Sequence, residues 1–186
     1  MFESCAHLSV SNASYPRLLG DIGGTNARFG WQTQAGGVIQ NVQVLPCADY
    51  PSLFEAIQSY LHQQNLDAPP CAAFGIATPV TGDLVSMTNN HWKFSVHELR
   101  EALKLQRILL INDFTALALA LPCLTKADKR QVGSGQANEN AAIALIGPGT
   151  GLGVSGLVPA GNANQWVPIA GEGGHVTLAA ANAHEF

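Results

Sequence analysis

The sequence predicts an α/β fold built on a mixed sheet, and three observations predict it. Two glycine-rich turns, at 20–26 and 147–153, each lie between apolar runs. Strand-like and helix-like runs then alternate along the chain, which implies a parallel component in the sheet. Helix starts are marked by Pro51 and by Ser95 with Glu98 three residues on, the latter a capping-box signature.

Taken in order, residues 1–14 are expected to form a flexible leader. Leu18 and Leu19 open the first strand, and Arg28-Phe29-Gly30-Trp31 returns beside it after the turn. Residues 38–45 continue the strand pattern after a Gly36-Gly37 turn. Within 50–65, Leu53, Ile57 and Leu61 recur at helical spacing, the mark of an amphipathic helix. Residues 72–77 read as a buried strand, 78–83 as a turn, 95 to about 104 as a helix and 108–111 as the next strand. A helix over 113–121 ends at Pro122, because proline cannot continue it. A small α/β domain is therefore expected over 15–123. A second, over 124–186, begins with a short polar helix at 125–131, a loop of turn formers at 133–140 and a strand at 141–146 that leads into the second glycine-rich turn.

Composition narrows the function. With 186 residues, 47% hydrophobic and 12% charged, the chain can bury a substantial core. The net charge is −4 without a Lys/Arg block, so nucleic acid finds no electrostatic footprint. No apolar run approaches the roughly 20 residues a membrane helix needs, and 1–14 lacks the basic and apolar parts of a signal peptide. No membrane partner is expected, and the expected compartment is the cytoplasm. Cys5, Cys47, Cys71 and Cys123 are widely spaced with no C-x-x-C pair, which favours reduced packing thiols over a zinc or redox site.

The turns point to phosphate. Glycine permits positive φ and a close backbone approach, and successive free N–H groups form an anion-binding concavity. Thr25 and Thr150 each add a hydroxyl. Strand rather than helix follows each turn, so neither the P-loop nor the dinucleotide fingerprint applies. Two hairpins on one plan suggest a duplicated phosphate-binding fold with a nucleotide held between halves. Ordinary hairpin turns remain the plainer alternative for either one alone.

Four segments then carry a family resemblance. Gly-Asp-Ile-Gly-Gly-Thr-Asn-Ala-Arg at 20–28, Ile-Asn-Asp-Phe-Thr-Ala at 111–116, Gly-Thr-Gly-Leu-Gly-Val at 149–154 and Gly-Glu-Gly-Gly-His-Val at 171–176 closely resemble bacterial glucokinase, of the sugar kinase, Hsp70 and actin superfamily. The likeness runs from about Leu18 to His175. It implies an actin-like ATPase (ribonuclease H-like) fold with the small domain complete or nearly so and the larger domain only begun. The implied activity is ATP-dependent phosphorylation of glucose at the 6-hydroxyl, with Mg2+, and a homodimer is compatible with it. The resemblance stops short of the second half that supplies the adenosine pocket and a further sugar-binding glutamate, so this chain alone is expected to be inactive or barely active.

The resemblance also implies residue roles. Asp113 is the base that takes the proton from the sugar hydroxyl, and Asn112, Glu172 and His175 orient the sugar. Gly20, Asp21, Ile22, Gly23, Gly24, Thr25 and Asn26, with Gly149, Thr150 and Gly151, line the phosphates, and Asp21 holds hydrated magnesium. The segment 88–92 resembles the part that closes over the sugar. Plainer readings stand beside these: Asp113 as a helix N-cap, Asp21 as a turn former, Glu172 with His175 as a surface pair, and Trp92 as core. The helix terminus and backbone N–H bonds should favour ionised Asp113, and burial the neutral form; the ionised form is expected at neutral pH. A non-catalytic sugar-binding or regulatory relative is the competing reading, though its usual DNA-binding helix-turn-helix has no room in 1–14. Kinases of mannose, fructose or N-acetylglucosamine would differ only in pocket detail.

Overall fold

The first glycine-rich turn is the tip of a hairpin. In the computed structural model, which describes residues 14–138, 140–148, 152–161 and 165–171, β1 (Arg17–Ile22) pairs antiparallel with β2 (Asn26–Gln32), and Ile22 faces Ala27 across the turn. β3 (Gln40–Pro46) adds to the outer side of β2. Ser52, one residue after Pro51, accepts from the Phe54 N–H and starts α1 (Leu53–Gln63).

The helical period places Leu53, Ala56, Ile57, Tyr60 and Leu61 in the core, where each fully buried large apolar side chain contributes about 1.5–3 kcal/mol. Tyr60 keeps its hydroxyl satisfied by donating to the Asn41 carbonyl at 3.0 Å. α1 ends with Asn65 at φ 53, while the Leu66 N–H reaches the Leu61 carbonyl at 2.9 Å and the Asn65 N–H reaches that of His62 at 3.1 Å. That pattern is a Schellman stop.

β4 (Cys71–Ile76) lies parallel to β1. A small hairpin of β5 (Leu84–Ser86) and β6 (Lys93–Ser95) follows, and the capping signal at Ser95 opens α2 (Val96–Ala102), with the Glu98 N–H donating to the Ser95 hydroxyl at 3.1 Å. The carboxylate that joins this cap is Asp83, which accepts from Ser95 and from the His97 N–H. α2 stops slightly earlier than expected, through a second Schellman closure with Lys104 at φ 55. β7 (Arg107–Asn112) then pairs parallel with β4, and α3 (Asp113–Ala120) follows without a loop.

The sheet order is β3-β2-β1-β4-β7. Its core face carries Leu18, Ile22, Phe29, Phe74 and Ile76 under α1, with Trp92 alongside. Gly20 lies between Leu18 and Ile22 because a Cβ there would come within 2.6 Å of the Phe74 ring. On the other face Gly75 admits α3, since its added Cβ would already touch Ala116 at 3.3 Å and the Asp113 backbone at 3.6 Å.

The chain divides into two units, one ending at Ala116 and one beginning at Leu117. In the second, β8 (Ile143–Pro148) and β9 (Leu152–Pro159) form the hairpin expected around the second glycine-rich turn, and β10 (Trp166–Gly171) completes a three-stranded antiparallel sheet in the order β10-β9-β8. The helix expected at 125–131 is a single 3-10 turn, Lys126–Asp128, with a reciprocal Thr125–Asp128 capping box. A short polar stretch with no buried side chain cannot offset the cost of helix nucleation.

The Lys104 conformation yields a stability prediction. A side chain in the left-handed region costs about 1–2 kcal/mol that glycine does not bear, less the entropy glycine adds to the unfolded chain. Lys104→Gly is expected to stabilise the first unit by roughly 0.5–1 kcal/mol, read as a rise in the urea midpoint at unchanged slope. A fall in the midpoint would contradict the Schellman assignment.

Candidate functional site

Three parallel strands end together. Ile22 of β1 is in register with Ile76 of β4, and Ile76 with Asn112 of β7. The turn at 23–25, the residues after Ile76, and Asp113 therefore leave the sheet at one carboxyl edge, where open α/β sheets bind ligands.

The turn is held at several points. The Gly23 N–H donates to the Asn26 carbonyl at 2.9 Å, and the Cys47 N–H donates to the Thr25 carbonyl at 2.8 Å. The Gly23 carbonyl receives the Cys47 thiol at 3.5 Å and the Asn90 amide at 3.4 Å. Neither Gly23 nor Gly24 has positive φ, contrary to the general reason for glycine in such turns. Close approach is the reason instead: a Cβ on Gly24 would stand 2.6 Å from the Asn89 Cβ, and one on Gly23 would stand 3.2 Å from the Asn26 carbonyl. The N–H groups of Gly24 and Thr25 meet no backbone acceptor among the described residues, which leaves two successive donors for an anion.

Asp21 faces Arg28 across the hairpin, with the guanidinium 3.3 Å from Oδ2 and both side chains more than half exposed. Such a pair contributes under about 1 kcal/mol to stability; its effect is to orient the carboxylate. Asp21 is not a closed metal site, and among the described residues no cluster of three or more ligating side chains exists. One exposed carboxylate beside a turn with two free N–H donors fits the chemistry of a hydrated magnesium ion, which keeps most of its waters.

At the start of α3 the N-cap is Asn112, whose Oδ1 accepts the Thr115 N–H at 3.2 Å. The reading of Asp113 as merely that cap therefore does not hold. Asp113 instead receives the Phe114 N–H at 2.8 Å and the Asn112 amide at 3.0 Å, both on Oδ1. Oδ2 has no hydrogen bond among the described residues. Burial raises the Asp113 carboxyl above its usual value, the Phe114 N–H opposes that, and the negative charge of Asp21 adds to the rise. The balance goes to burial. Asn112 spends one amide hydrogen on Asp113 and keeps a second for a ligand.

Trp92 is core, 1% exposed, with its indole N–H donating to the Tyr50 carbonyl at 3.0 Å. Gly149, Thr150, Gly151, Glu172 and His175 lie outside the described residues; β8 and β9 bring Pro148 opposite Leu152 on either side of the second turn. Arg28 and Asn90 stood inside the segments 20–28 and 88–92 without roles of their own, and Cys47 was expected only as a packing thiol. Hairpin register would have revealed the Arg28 contact, whereas nothing local in the sequence marks the contacts that Cys47 and Asn90 make with Gly23.

The family model for glucokinase matches residues 18–186. The chain belongs to the glucokinase family. It is 53% identical over 173 residues to a glucokinase of Aromatoleum aromaticum, covering 92% of this chain and 52% of that relative. A crystallised glucokinase from an Antarctic psychrotroph superposes with a TM-score of 0.78 at 39% identity, covering 91% of this chain and 54% of that one. A glucokinase from Balamuthia mandrillaris in complex with glucose superposes at 0.60 with 20% identity, covering 91% and 51%, which shows the shared fold. The chain spans about half the length of the curated glucokinase it matches here, and the glucokinase-family fold is that of the sugar kinases with an actin-like ATPase architecture.

The Asp113 environment gives a signed stability prediction. A carboxyl raised in the folded state destabilises that state once the pH exceeds the unfolded value near 3.8, and the penalty is absent where both states are protonated. Asp113→Asn keeps an acceptor for the Phe114 N–H and should therefore be more stable than the parent at pH 7, with the difference vanishing below about pH 4. Equal midpoints at pH 7 in urea titrations would contradict it.

Proposed function

We propose that this chain carries the sugar-proximal half of a glucokinase site, one that transfers the ATP γ-phosphoryl group to the 6-hydroxyl of glucose in the cytoplasm as the first step of glycolysis. The observation that carries the reading is the common edge of β1, β4 and β7, where the register aligns the glycine turn with Asp113. Among the described residues no helix is long and apolar enough to cross a membrane, which is compatible with that location.

In this reading Asp113 takes the hydroxyl proton on Oδ2, the oxygen without a hydrogen bond among the described residues, while Oδ1 is fixed by Phe114 and Asn112. A carboxylate raised by burial is a stronger base than an ordinary one, yet the reaction asks little of it, since phosphoryl transfer proceeds mainly through positioning and charge stabilisation. Asn112, Glu172 and His175 orient the hexose. Gly20, Asp21, Ile22, Gly23, Gly24, Thr25 and Asn26, with Gly149, Thr150 and Gly151, form the two phosphate cradles, of which Gly24 and Thr25 supply the free N–H donors. Asp21 would hold magnesium through water, and magnesium when bound neutralises phosphate charge. The Aromatoleum relative is a glucokinase and the Balamuthia glucokinase was crystallised with glucose; both support this choice of substrates.

The test is Asp113→Ala in a full-length protein containing these residues. Glucose phosphorylation, followed by coupled assay, should fall about 10²- to 10⁴-fold, while calorimetry finds glucose still bound. The acid limb of kcat/KM in the parent should lie above the ordinary Asp value of 3.8, with activity rising as pH rises through it. Activity within tenfold of the parent would remove Asp113 from the base role.

A further inference from the structure

The Gly23 carbonyl is the most heavily used backbone oxygen at the turn. It is approached by the Cys47 thiol at 3.5 Å and by the Asn90 side-chain amide at 3.4 Å, from points 24 and 67 residues away in sequence. The orientation of the Asn90 amide is fixed independently. Its Oδ1 accepts the Trp92 N–H at 2.8 Å, so the NH2 end is the one that faces Gly23. Trp92 is itself buried and tied to Tyr50 through its indole N–H, and His91 reaches the same Tyr50 carbonyl at 3.0 Å. The segment that holds Asn90 is thus anchored to the core on its own account.

A trans peptide is planar, with its C=O and N–H directed oppositely. Holding the Gly23 oxygen toward Cys47 and Asn90 therefore turns the Gly24 N–H the other way, away from both. The next peptide but one is treated likewise, since Thr25 gives its carbonyl to the Cys47 N–H at 2.8 Å, and this directs the Asn26 N–H. Burial keeps Cys47 above its usual thiol value, so the S–H remains available to donate. Gly24 completes the arrangement by lying against Asn89 with no room for a Cβ.

We propose that Asn90 is a positioning residue that, together with Cys47, holds the Gly23 carbonyl inward and thereby aims the Gly24 N–H at a bound phosphate. The segment 88–92, which the sequence resemblance connects with the sugar, is in this way a mechanical support of the phosphate turn. The inference rests on the reading of the turn as a phosphate cradle, but the brace itself is measurable without any nucleotide.

The experiment compares Asn90→Ala, Asn90→Asp and His91→Ala. Asn90→Asp retains the acceptor for the Trp92 N–H and replaces the donor to Gly23 with a charged acceptor that repels the carbonyl, so it breaks the brace while the segment keeps its own anchor. His91→Ala removes a bond to Tyr50 and leaves the turn untouched. Amide hydrogen exchange in the full chain is the first readout. Losing one neutral hydrogen bond should quicken exchange at the hydrogen-bonded amides of Gly23 and Cys47, which donate to Asn26 and Thr25, roughly three- to tenfold in both Asn90 variants. In β1 it should stay as in the parent, and His91→Ala should show no change at Gly23 or Cys47.

The second readout is kinetic, in a full-length protein containing these residues. Asn90→Ala should raise KM for ATP by a comparable roughly three- to tenfold, with KM for glucose within about twofold. Parental exchange at Gly23 and Cys47 in Asn90→Asp would overturn the brace. Quickened exchange with an unchanged KM for ATP would overturn the positioning role. If the parent protein binds no ATP, the kinase reading fails while the exchange result still decides the brace.

Discussion

The site depends on a constraint of sheet geometry: three parallel strands whose last residues, Ile22, Ile76 and Asn112, stand in register. A shift of one residue in any of them would turn every side chain of that strand to the opposite face. Leu18, Ile22, Phe74 and Ile76 are all buried, so such a shift would place large apolar groups in water and is strongly disfavoured. The burial of the core thus also sets where the glycine turn and Asp113 emerge. Stability and site geometry are one requirement here, carried by the same strands.

The polar groups at that edge follow from this placement. Asn112, at the last position of β7, caps α3 and steadies Asp113. Asp113 sits close enough to the sheet that burial outweighs its hydrogen bonds. Asp21 belongs to β1 itself and meets Arg28 through the hairpin register. The turn between them is fixed through its carbonyl oxygens, which leaves N–H groups for a ligand, and this is the inverse of a cap that satisfies its own donors.

What was legible in the sequence was what local chemistry decides. The first hairpin was evident because apolar runs flank its glycines, and α1 because Leu53, Ile57 and Leu61 share one face. Asn112 and Asp113 could be placed since a strand pattern ends at 111 and a helix pattern begins two residues later. Asn65, a residue type that tolerates the left-handed stop, marked the end of α1, whereas Lys104 carried no such signal, since lysine is not a usual helix-stop residue. β5 was missed because three residues are too few to show alternation. β10 was missed because it contains Pro168, which is tolerated where it lies, on an edge strand. Cys47 and Asn90 support the turn from 24 and 67 residues away, and a pattern read along the chain does not reveal partners brought together by folding. Asn89 likewise explains Gly24 only in three dimensions, by occupying the space a side chain would need.

The most direct test of the shared binding edge is paramagnetic relaxation of assigned amide signals with manganese–ATP in place of magnesium–ATP. If the carboxyl edge of β1, β4 and β7 is the binding edge, the amides at 23–26 and 113–115 broaden together, and those of Arg17, Cys71 and Arg107, at the opposite ends of the same strands, remain sharp. Broadening at those opposite ends, or at 23–26 without 113–115, would contradict it.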